Sequence, residues 1–116
     1  MSLAHALNAA RLETAGCRAA GYVDLRTRMT LLFEADVRPP RERVDALGRA
    51  AAALLRLSGE GEDPAARAWI AGDGGILFAY RPEGRPGHGA FFLVEPGAAR
   101  PTAALDAALA ARADAL

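Results

Sequence analysis

Cys17, His5 and His88 are the side chains best suited to nucleophilic or metal chemistry in this 116-residue sequence. A cysteine nucleophile needs a base within hydrogen-bond reach, and a structural zinc site needs a set of such ligands at short spacings. His5 falls in a helical stretch and His88 in a glycine-rich loop, and neither is spaced with Cys17 as a ligand set. A lone cysteine at a strand start reads as a small buried apolar residue. The two serines, Ser2 and Ser58, stand at helix ends, outside any nucleophile-elbow pattern. Glu60, Glu62 and Asp63 lack the alternating ligands and closing glutamate of a calcium loop, so they read as a solvated acidic loop. Gly84-Arg85-Pro86-Gly87-His88-Gly89 looks like a phosphate cradle, but the chain has no lysine and no helix is expected directly after that loop. Gly72 to Gly75 fails the same test, because it joins two strands. No acid–base pair, nucleophile set or metal cluster assembles, which predicts a non-enzymatic protein with no cofactor and no metal.

All fourteen positive side chains are arginines, balanced by fourteen acids to a net charge of zero. Arginine makes bidentate contacts to phosphate and carboxylate that lysine cannot. The chain also holds 29 alanines, 12 glycines and 7 prolines. Joint enrichment of these four types fits a high-GC coding bias, and so a bacterial source, better than a recognition device. Arg38, Arg41 and Arg43 cluster near a helix start, and Arg26 and Arg28 lie in a hairpin. With zero net charge and 6% aromatics, they read as a solvated face, and no nucleic-acid partner is expected. No apolar run approaches the ~18 residues of a membrane span, and no signal peptide is visible at the start. A single cysteine fits a reducing cytoplasm.

The elements that must position these residues follow from periodicity. Residues 2–15 read as a helix capped by Ser2 and stopped at Gly16. Runs 17–25 and 28–35 read as a hairpin, with Ala19-Ala20-Gly21 small enough for close approach of a helix. Pro39-Pro40 opens a long helix to Leu57. One stripe of it is Val44, Leu47, Ala51, Leu54 and Leu55; a second, offset, is Ala46, Ala50, Ala53 and Leu57. A helix with two such stripes needs cover on two sides, and a partner helix is the expected second cover. Strands follow at 67–71, 76–80 and 90–94, with Gly72-Asp73-Gly74-Gly75 as a tight turn supplying positive φ angles. Ala90 to Val94 is apolar on both faces, which predicts a central strand. Thr102 is the expected cap of a last helix carrying Leu105, Leu109 and Leu116. Trp69 reads first as a core residue; if its strand is a sheet edge, Trp69 or Ile70 becomes an interface anchor.

The order is α-β-β-α-β-β-β-α over residues 1–116, with no internal linker. It predicts one α+β domain: a five-stranded antiparallel, meander-like sheet with the long helix on one face and two helices on the other. This order resembles the roadblock/dynein light chain family, of the bacterial GTPase-regulator type. The matching stretches are Ala19 to Asp24, Met29 to Phe33, the helix Arg41 to Leu57, Ala68 to Tyr80 with its Gly-Asp-Gly-Gly turn, and Ala90 to Val94. One departure is the first hairpin, Asp24-Leu25-Arg26-Thr27-Arg28, which has no glycine where the family often has an Asp-x-x-Gly turn. The resemblance implies a homodimer made by pairing central helices and joining sheet edges at the third strand. On this chain the interface would be Ala46, Ala50, Ala53 and Leu57 with Ala68, Trp69, Ile70 and Ala71. It also implies a cytoplasmic adaptor or regulator of a small Ras-like GTPase. Two alternatives are a small-molecule sensor with a profilin-like or PAS-like sheet, in which Phe33, Phe78, Phe91 and Phe92 either line or fill a cavity, and a small dimeric secretion chaperone.

Overall fold

The computed structural model describes residues 2–61, 64–98 and 101–115. The elements are α1 (Leu3–Glu13), β1 (Cys17–Asp24), β2 (Thr30–Ala35), α2 (Arg41–Leu57), β3 (Arg67–Gly72), β4 (Gly75–Tyr80), β5 (His88–Val94) and α3 (Pro101–Ala110), with a 3-10 turn at Ala113–Ala115. The strands form one antiparallel sheet in the order β2-β1-β5-β4-β3. It is not a simple meander. The connection through α2 carries the chain from one edge to the other, so the first and last strands pair at the centre.

Two apolar layers sandwich the sheet. On one face Ala6, Leu7, Leu105 and Leu109 from α1 and α3 pack on Tyr22, Phe78 and Phe92. On the other, Val44, Ala51 and Leu55 from α2 pack on Val23, Phe33 and Phe91. The period of two along β1 and β5 sends alternate residues into each layer, which is why Ala19 to Val23 and Gly89 to Val94 carry no charged side chain. Gly21 serves this packing differently from expectation. A Cβ there would overlap the Phe91 ring, so the missing side chain admits a cross-strand aromatic rather than a helix.

Local chemistry sets the ends of the elements. Ser2 Oγ accepts from the His5 backbone N–H at 3.1 Å, capping α1, and Gly16 takes a left-handed φ of 80° just beyond it. In the first hairpin Asp24 Oδ1 accepts from the Arg26 and Thr27 amides at 2.9 and 3.0 Å. Arg28 occupies the left-handed position (φ 63°) in place of a glycine. In the second hairpin only Gly75 has positive φ (122°), and a Cβ there would strike the Val94 carbonyl. The turn therefore depends on one glycine held against β5 rather than on a run of left-handed residues. α3 begins at Pro101, which places Thr102 inside its first turn instead of at the cap. Leu116, Glu62 and Asp63 lie outside the described residues.

Candidate interaction surface

The residues suited to chemistry are occupied by structure. The Cys17 thiol is buried and donates to the Ala19 carbonyl at 3.5 Å; burial pushes its pKa up to about 11. His5 is exposed on α1, and the His88 ring stands edge-on to buried Tyr22, centroids 5.2 Å apart. Among the described residues no group of three or more His, Cys, Asp or Glu side chains is placed to hold a metal, and no helix is long and apolar enough to cross a membrane.

The long helix carries the feature that does stand out. Its buried residues are Val44, Gly48, Ala51, Ala52 and Leu55. Leu47 and Leu54, expected in the core, are only half-buried. Gly48 explains the rotation. A Cβ at this position would overlap Thr30 Oγ1, whose hydroxyl donates to the Val44 carbonyl at 3.3 Å, so the helix meets β2 along its glycine. The second stripe then faces away from the sheet. Ala46 and Ala50 are exposed, Ala53 is half-buried, and Leu57 is 85% exposed.

β3 lies at the sheet edge and pairs only with β4. Its side chains alternate. Ala68 is half-buried against the α2 layer, and Ile70, paired with Leu77 of that same layer, points the same way. Trp69 pairs with Phe78 of the opposite layer, and Ala71 is exposed. Trp69 is 54% exposed and Ile70 57%, so neither is a core residue. Trp69 lines a groove of about 350 Å³ with Arg67, Thr102 and Asp106, where Arg67 and Asp106 form an ion pair at 2.8 Å. The Ala65 amide donates to the Leu55 carbonyl at 2.8 Å, tying the approach to β3 to the C-terminal end of α2. The eight residues singled out in the sequence thus divide between an exposed helix face and a free strand edge.

No family model matches the sequence, and no curated protein matches it either. Solved structures do. A Roadblock/LC7 domain from Streptomyces avermitilis superposes with a TM-score of 0.74 at 12% identity, covering 98% of this chain and 93% of that one. The chain has the roadblock/LC7 fold. MglB from Myxococcus xanthus is similar at a TM-score of 0.73 and 10% identity, with 97% and 89% of the two chains covered. An MglB described in a tetrameric arrangement gives 0.71 at 20% identity, covering 98% of this chain and 84% of that one. At these identities the shared property is the roadblock fold.

One surface was not foreseen from the sequence. Arg18, Ala19, Phe33, Ala35, Val37, Arg43, Leu47 and Leu93 line a groove of about 340 Å³ beside α2. Its floor is made by residues from three strands, and only the register Ala35↔Ala19↔Leu93 brings them together. That register includes a bulge in each pairing, which no periodicity reveals.

Proposed function

We propose that residues 1–116 act as one roadblock-like unit, a non-enzymatic homodimeric adaptor or regulator of a small Ras-like GTPase, working through protein–protein contacts in a bacterial cytoplasm. The observation that carries the reading is the pairing of two unpartnered features: the outward stripe Ala46, Ala50, Ala53 and Leu57, and the free β3 edge with exposed Trp69 and Ile70. Alanines let two helices approach closely, and an exposed strand edge offers unsatisfied N–H and C=O groups to a second edge. The tetrameric arrangement described for one MglB of the same fold supports assembly between copies. The sensor alternative has less support, because Phe78, Phe91 and Phe92 are buried side chains that fill the two layers, although Phe33 and Phe78 each also border a groove.

The GTPase part of the reading is tested with candidate Ras-like GTPases from the same source, loaded with GDP or a non-hydrolysable GTP analogue. The protein, immobilised, is expected to retain at least one of them, and retention that depends on the nucleotide identifies a regulator. Retention independent of nucleotide identifies a scaffold. Failure to retain any GTPase in either state contradicts the assignment.

A further inference from the structure

We propose that the groove beside α2 is a docking site for a segment of a second protein, an acidic peptide carrying one bulky apolar side chain. The groove lies within one chain and borders the outward stripe of α2, because Arg43 and Ala50, seven residues apart, share a helix face.

The floor explains the opening. Ala19 and Ala35 stand opposite one another on β1 and β2, and Leu93 stands opposite Ala19 on β5. Two positions further along the same face of β1 and β2, Gly21 and Phe33 are paired and the Phe91 ring fills the space over the glycine. At the alanine pair nothing comparable fills it, and the rotation of α2 about Gly48 leaves Leu47 half-buried at the wall. The outer wall is the connection from β2 to α2, where Val37 is 85% exposed. A volume of about 340 Å³ accepts one aromatic or large aliphatic side chain together with neighbouring backbone.

The rim is positive. Arg18 and Arg43 line the groove. Among the described residues the one acid in the lining is Asp36, which pairs with Arg11. Arg18 donates one N–H to the neutral Gly74 carbonyl and, among the described residues, forms no ion pair. An apolar slot between guanidinium groups matches an apolar anchor flanked by carboxylates. The register sets Leu77 beside Leu93 on the same face, continuing the apolar floor one strand beyond the groove, which favours a chain as the occupant.

The test uses a fluorescein-labelled peptide with one phenylalanine between two pairs of glutamates. Binding is followed by anisotropy at low salt, and backbone amide shifts of the protein are mapped. Saturable binding is expected, with the largest shifts at Ala19, Ala35 and Leu93. Arg43→Glu and Val37→Asp both alter exposed residues, so the fold survives, and each is expected to weaken binding about tenfold or more. Replacing the phenylalanine by alanine, or the glutamates by lysines, should abolish it. Four results would overturn the proposal. They are no binding up to about 1 mM peptide, binding indifferent to both variants, equally tight binding of phenylacetate alone, and shifts at the same amides produced by raising the protein concentration without peptide.

Discussion

Arg28 is the residue at which sequence and backbone disagree most openly. It holds φ at 63°, a conformation glycine adopts freely and other residues rarely do. The turn persists because Asp24 fastens it, accepting from two amides with its side chain while its carbonyl accepts from the Arg28 amide at 2.7 Å. Arg28→Gly is therefore expected to raise stability by about 1 kcal/mol, read as a higher denaturant midpoint with unchanged slope. Cys17 makes a second prediction. Burial favours its neutral thiol in the folded state, raising the pKa from 9.0 to about 11. The resulting stability is complete below pH 9.0 and is lost as pH rises through about 11. At pH 8 the thiolate fraction is about a hundredfold below that of an ordinary cysteine. Alkylation of the folded protein by iodoacetamide at that pH should be slower than alkylation of the denatured chain by at least that factor. Equal rates would show an accessible thiol. The glycine-free hairpin was visible in the sequence as a departure from the family pattern the chain resembles; that an arginine would take the left-handed position was not, because propensity disfavours it.

On α2 two leucines two positions apart have opposite surroundings. Leu55 is fully buried and Leu57 is 85% exposed. Leu55→Ala should cost about 2–5 kcal/mol in chemical denaturation, from lost burial and the cavity left behind. Leu57→Ala should change the stability of the monomer by no more than about 0.5 kcal/mol. Measured in an Ala50→Arg background, which keeps the chain monomeric on this account, a large loss at Leu57 would place it in the core and dissolve the proposed outward stripe. From spacing alone Val44, Ala51 and Leu55 were legible as buried, whereas Leu47 and Leu54 of the same stripe are half-buried and Gly48 and Ala52 are buried in addition. The rotation of α2 was not legible, since it rests on Gly48 meeting Thr30, a contact between residues far apart in sequence. The same rotation exposes Leu47 to the groove, so that surface stayed hidden for the same reason. β2 shows the converse. It is an edge strand with Leu31 48% exposed, although Leu31, Leu32 and Phe33 form an unbroken apolar run.

For the whole molecule, element order and layering were readable because hydrophobic period and turn residues mark each element locally. The strand order was not, because pairing of β1 with β5 is decided by packing both on a common core. The sheet has two free edges, β2 and β3, and only β3 is assigned to self-assembly. Hydrogen exchange should distinguish them. Outward β3 amides are expected to gain protection as protein concentration rises, while those of β2 stay fast. Equal exchange at both edges across all concentrations would remove β3 from the interface.

The most direct measurement is mass in solution, by light scattering during size exclusion over a wide concentration range. Wild-type protein should run at about twice its 12.1 kDa chain mass, and Ala50→Arg should return it to 12.1 kDa with its fold intact. A wild-type mass of 12.1 kDa at every concentration would contradict the homodimer, and with it the role given to the outer face of α2.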